Sequence, residues 1–77
     1  MSEIEKLRKD ALKFIEEERT VSVKTHGHMK KYKIIDYVGH GEFQAQLQNV
    51  NREEDIIYIG LPGVIKAIKE DDILGYG

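Results

Sequence analysis

The stretch Ile56 to Ile68, IIYIGLPGVIKAI, is the most apolar part of an otherwise polar chain of 77 residues. Two β-prone runs, Ile56 to Leu61 and Val64 to Ile68, flank a single Pro-Gly pair at Pro62 and Gly63. In an extended strand successive side chains point to opposite faces. Ile56 and Tyr58 then point one way and Ile57 and Ile59 the other, so both faces of the strand are apolar. A chain this short buries only about 60–65% of the surface its unfolded form exposes. A strand that needs cover on both sides must therefore occupy the centre of a small core or lie against a neighbouring chain.

The length predicts one domain spanning residues 1–77. There is no cysteine, so neither a disulfide nor a thiolate zinc site can reinforce the fold. Stability has to come from the core or from association. With 34% charged residues and a net charge of -2, the composition is that of a soluble protein and excludes no class of ligand. No apolar run approaches the roughly 20 residues of a membrane span. The opening MSEIEKLRKD is charged throughout, unlike a targeting peptide. The expectation is a cytoplasmic protein with no membrane partner.

The first segment predicts a helix over about residues 2–18. Ser2 and Glu5 form an S-x-x-E capping box, and Ile4, Leu7, Ala11, Phe14 and Ile15 make one apolar stripe. From Thr20 the period becomes two. TVSVKT sets Val21 and Val23 against Ser22 and Lys24, and HGHMKK contains a turn candidate. YKIIDYV reads as a second strand, with Tyr32 and Ile34 on one face and Ile35 and Tyr37 on the other. Gly39 to Gly41 is a turn or bulge. EFQAQLQNV alternates Phe43, Ala45 and Leu47 with Gln44, Gln46 and Gln48, NREED is a polar loop, and IIYIGLPGVIKAI supplies the last two strands. The predicted class is mostly β with an N-terminal helix, closing as a small, bent, five-stranded antiparallel barrel over about residues 20–74. Among barrels of this size, an OB fold needs a helix where only NREED stands, and SH3-like domains rarely begin with a long helix. The helix-first order favours an Sm-like arrangement over an SH3-like one.

Particular residues carry that likeness. They are the helix end EERTVSV, then Phe43, Leu47 and Asn49, and finally DIIYIGLPGVIKAI as an apolar strand, a Gly-containing turn and another apolar strand. On these the chain resembles the Sm-like (LSm, Hfq-type) family, as a divergent member whose likeness covers nearly the whole sequence. The resemblance implies a cyclic homo-oligomer of about five to seven subunits, in which the fourth strand of one subunit pairs with the fifth of the next. It implies a subunit seam of Ile56, Ile57, Tyr58, Ile59, Val64, Ile65 and Ile68. It also implies RNA contacts at the rim turns, with Tyr37 and His40 beside the first and Gly60 and Lys66 beside the second. Two features depart from the family pattern. Ile59 stands where a basic residue precedes the Gly, and YVGHGEF follows Asp36 where the first motif carries its Gly and Asn.

Charge adds a separate indication. Arg19, Lys24, Lys30, Lys31 and Lys33 run without an acidic residue, with His26 and His28 among them. Such a patch attracts phosphate, and Lys30 and Lys31 are the candidate contacts. The plain alternative is a solvated hairpin. His26 and His28 are two imidazoles at i, i+2, His40 is the only other histidine and there is no cysteine, so no metal site and no cofactor is expected, although in a ring symmetry-related histidines could meet at the axis. No nucleophile–base grouping, P-loop or GxGxxG is present, so neither catalysis nor a small-molecule substrate is expected. The expected function is a ring-forming protein that binds single-stranded RNA as chaperone or scaffold. The alternatives are a structural or protein-interaction barrel module with no nucleic-acid role and, third, a monomeric SH3-like peptide adaptor.

Overall fold

The computed structural model describes residues 3–40 and 42–76, with backbone alone at 39, 40 and 42. Its elements run α1 (Glu3–Glu16), β1 (Thr20–Thr25), β2 (His28–His40), β3 (Glu42–Asn49), β4 (Arg52–Gly60), α2 (Leu61–Glu70) and β5 (Ile73–Tyr76). The chain is mostly β with an N-terminal helix, as expected, and the described residues form five strands. They form an open mixed sheet in the order β4-β3-β2-β1-β5 instead of a closed antiparallel barrel. β1 to β4 are an antiparallel meander, and β5 returns to pair in parallel with β1.

The departure begins at Leu61. Val64 to Ile68 is part of a helix, not a strand. Leu61, Val64, Ile65 and Ile68 recur at the i, i+3, i+4, i+7 spacing of one helical face, and all four are buried. Gly60 is the N-cap and Pro62 lies in the first turn, where a missing N–H costs nothing. Asp71 closes the helix in the left-handed region at φ 53°, and the Asp72 N–H donates to the Ala67 carbonyl at 2.9 Å. A ten-residue helix is about 15 Å long, close to the width of a sheet of this size at about 4.8 Å per strand. α2 therefore carries the chain beneath the sheet, from the β4 edge to the β5 edge, touching β3, β1, β4 and β5. That crossover returns the chain so that β5 runs parallel to β1.

α1 lies against β2 and α2, burying Ala11 and Phe14. It ends where Glu18 takes φ 53° and the Arg19 N–H reaches back to the Phe14 carbonyl at 3.0 Å. Lys69 Nζ meets Asp10 Oδ2 at 2.9 Å and ties the two helices together. Ser2, half of the predicted capping box, lies outside the described residues, as does Gly41 of the expected Gly39–Gly41 turn. Both helices cover one face of the sheet, where Val21, Val23, Tyr32, Ile34, Ala45, Leu47 and Ile57 are buried. Among the described residues no helix is long and apolar enough to cross a membrane.

Local backbone features set which side chains face inward. His26 (φ 48°) and Gly27 (φ 82°) make a two-residue turn with both φ positive, the form that matches strand twist, and Thr25 pairs with His28 across it. HGHMKK is thus a turn of only two residues followed by strand, and NREED is strand from Arg52 onward. An irregularity between Ile34 and Asp36 shifts the β2 register by one residue. Tyr37 consequently pairs with Ala45 and shares the inner face with Ile34, opposite to the alternation expected from sequence.

Candidate nucleic-acid interface

Strand register assigns the basic run to two different faces. Val23 is inward and pairs with Lys30, so Lys30 is inward; Ser22 pairs with Lys31 and Thr20 with Lys33, on the outer face. Lys30 Nζ sits 3.9 Å from Asp55 Oδ2 on the inner side. Lys24, Lys31 and Lys33 stand on the outer face, which neither helix covers. Lys31 and Lys33 are two residues apart on one strand, about 7 Å.

The neighbouring strands extend this face. β3 puts Gln44, Gln46 and Gln48 there, because Ala45 and Leu47 are buried on the other side. Cross-strand pairs align Ile56, Gln48, Lys33 and Thr20 in one row and Tyr58, Gln46 and Asp36 in the next. Tyr58 is 46% exposed and Ile56 39%. Asp36 is the acidic member, and its Oδ1 accepts the Tyr37 N–H at 2.8 Å. Gln48 Nε2 donates to the Glu53 carbonyl at 3.0 Å, leaving Gln44 and Gln46 as the freer amides. Beside Lys24, a hollow of about 500 Å³ is lined by His26, Gly27, Gly75 and Tyr76. The surface offers ammonium groups, amides that both donate and accept, and the exposed Tyr58 ring.

The other expected contacts do not join this surface. Tyr37 is half-buried on the inner face with its ring centroid 6.4 Å from that of Phe43, over which the Arg8 guanidinium lies at 5.4 Å. Lys66 is exposed on α2, on the helical side of the molecule. Gly60 ends β4 and, with Leu7, Phe43, Gln44 and Pro62, lines a second hollow of about 420 Å³. The side chain of His40 lies outside the described residues. His26 and His28 are divided by their hairpin turn and do not share one strand face. Of the expected seam, Ile56, Ile57, Tyr58 and Ile59 form the free edge strand, whereas Val64, Ile65 and Ile68 are buried within the chain by α2.

One polar cluster was not foreseen. Tyr32 Oη donates to Asp55 Oδ2 at 2.5 Å, and Asn49 Nδ2 donates to the same oxygen at 3.1 Å. Asn49 Oδ1 in turn accepts the Asn51 N–H at 2.8 Å, bracing the β3–β4 turn. Burial first, then the bond to Asp55, pushes the Tyr32 phenol up from 10.0 to about 12. The bonds from Tyr32 and Asn49 hold the Asp55 carboxyl below the usual carboxylate range. Both shifts lead away from neutrality, and the Tyr32–Asp55 bond clamps β2 to β4. Its partners lie 23 residues apart, and no local pattern joins them. Comparison with protein-family models, with curated proteins and with solved structures found no match.

Proposed function

We propose that this chain is a binding protein for single-stranded RNA, which it takes across the bare outer face of its sheet. The observation that carries the reading is the placement of Lys24, Lys31 and Lys33 on one uncovered face, beside the Gln44–Gln46 amides and the exposed Tyr58 ring. Single-stranded nucleic acid is held by phosphate contacts together with base stacking and edge hydrogen bonds, and this face offers groups for each. The lysines supply the sequence-independent part and Tyr58 a stacking platform. The role would be that of a chaperone or scaffold.

An Sm-like arrangement is the finer reading of the fold. It is supported by the helix-first order and by β4 and β5 standing at the two sheet edges, the strands through which that family builds its rings. α2 and the parallel β5 depart from it. An interaction module is the second reading, favoured by the apolar free edge of β4.

Strand alternation supplies the test. Binding of labelled poly-U should weaken with salt, with a slope of log K against log salt of about -2 for three phosphate contacts at about 0.7 each. Lys31→Ala and Lys33→Ala should each weaken binding and flatten that slope, while Lys30→Ala, whose ammonium faces Asp55, leaves both unchanged. Equal losses for Lys30→Ala and Lys31→Ala would overturn the outer-face site.

A further inference from the structure

The two edges of the sheet are not alike. β5 has only four residues, Ile73–Tyr76, and follows Asp71 and Asp72. β4 has nine, Arg52–Gly60, hydrogen-bonded to β3 along one side only. Soluble proteins blunt such edges with lysine, proline, a bulge or brevity. Ile56 to Gly60 carries none of these, and the β3–β4 register shift lies upstream between Gln48 and Asn49. Its outer side chains, Ile56 and Tyr58, are among the large apolar groups left exposed.

We infer that β4 pairs antiparallel with β4 of a second copy about a two-fold axis at Tyr58, joining two five-stranded sheets into one. The occupant follows from length, charge and face. A β5 edge offers four residues, whereas a second β4 matches all five of the apolar run Ile56–Gly60. Antiparallel pairing centred on Tyr58 sets Ile56–Gly60 against the same residues reversed. The acidic residues Glu53, Glu54 and Asp55 then lie beyond both ends of the pairing, whereas a parallel arrangement would stack them on their own copies. Centring on a residue rather than between two keeps inner face with inner face, so all four helices lie on one side. Tyr58 meets its own copy on the outer face, and Ile57 meets Ile59 on the inner. The contact is isologous and closes at two copies. It stands independently of the RNA reading, although it would bring two lysine-bearing faces into one surface.

The chain has no cysteine, so a single introduced thiol reports the register without interference. On the axis, Tyr58→Cys puts the two Cβ atoms about 5 Å apart, within reach of a disulfide after small adjustment. Ile56→Cys puts its thiols four residues out of step, about 13 Å apart. Sedimentation equilibrium of the unaltered chain should give twice 8.9 kDa as concentration rises. Mild oxidation should cross-link Tyr58→Cys and leave Ile56→Cys and Ile73→Cys uncoupled. Ile73→Lys, on the β5 edge, should dimerise normally. A single-copy mass at every concentration up to about 1 mM would overturn the inference. So would a larger closed assembly weakened by Ile73→Lys, or failure of Tyr58→Cys to cross-link where the unaltered chain dimerises.

Discussion

Ile56–Gly60 and Leu61–Ile68 are contiguous and almost equally apolar, yet they are held in place by different means. The second is a helix with Leu61, Val64, Ile65, Ala67 and Ile68 buried at 5% exposure or less. The first is an edge strand with Ile57 buried, Ile59 half-buried, and Ile56 and Tyr58 open to solvent. The helix completes the protomer, because it packs against β4, β3 and β1 on the inner side of the sheet. The strand is only half used by the protomer. Apolar composition alone therefore does not separate a core element from a surface one; the period of the pattern and the position at a sheet edge do.

The largest effect should come from the helical side. Leu61→Ala removes a fully buried side chain beneath the sheet and should cost about 2–5 kcal/mol, read as a lower urea midpoint. Ile56→Ala, of equal hydrophobicity but on the open face, should cost less than about 1 kcal/mol. Comparable losses at the two positions would remove the distinction between the runs.

Next is the clamp that anchors the start of β4 to β2. Tyr32→Phe deletes the donor to Asp55 and should cost about 1–2 kcal/mol. The pH dependence has two arms. Asp55 has a depressed folded pKa, so its contribution is present above its unfolded value and is lost as pH falls through the folded one. Tyr32 has a raised folded pKa, so its contribution is complete below pH 10 and is lost as pH rises towards about 12. Urea unfolding across pH should show both losses. Tyr32→Phe should abolish the alkaline arm and shrink the acid arm, and an unchanged alkaline arm would assign that loss to other groups.

These two regions also show where sequence reasoning works and where it stops. The amphipathic helix α1, the strand TVSVKT and the Phe43/Gln44 alternation of β3 were legible because period and burial agree there. The opposed faces of Ile56/Tyr58 and Ile57/Ile59 were read correctly for the same reason. α2 was missed because Val64 and Ile65 are β-branched and Gly60, Pro62 and Gly63 look like a turn. The i, i+3, i+4, i+7 spacing was present, but a short run with mixed signals is decided by what it packs against. β5, only ILGY, is too short to announce itself. The register shift at Ile34–Asp36 turned Tyr37 inward with no residue to mark it. At the candidate interface, separating Lys30 from Lys31 needed only strand alternation, whereas recognising the face as uncovered needed both helices on the other side.

A smaller effect is expected between the helices. Lys69 and Asp10 meet at 2.9 Å with the lysine about half exposed, so Lys69→Ala should cost no more than about 0.5–1 kcal/mol. The loss should diminish in high salt, since exposed pairs are screened. A larger, salt-independent loss would mean that the lysine stem packs against α1 and that the charge is incidental.

The smallest effect on stability, and the most discriminating, is expected at Ile56. Ile56→Lys places a charge on the outer face of an edge strand, a position where proteins commonly carry lysine. The folded protomer loses little burial there, so the unfolding free energy read from urea titration should change by no more than about 0.5 kcal/mol. The new ammonium would extend the Ile56–Gln48–Lys33 row and steepen the salt dependence of poly-U binding by about 0.7 if a phosphate reaches it. Tyr58→Lys offers the same charge one row along but removes the aromatic ring, so it should lose stacking while gaining the electrostatic contribution. If Ile56→Lys instead unfolds the chain as Leu61→Ala does, the outer half of β4 is core and the open face is not the ligand surface. A neutral midpoint with a steeper salt slope would place the line between core and binding surface within β4 itself, between the side chains of Ile56 and Ile57.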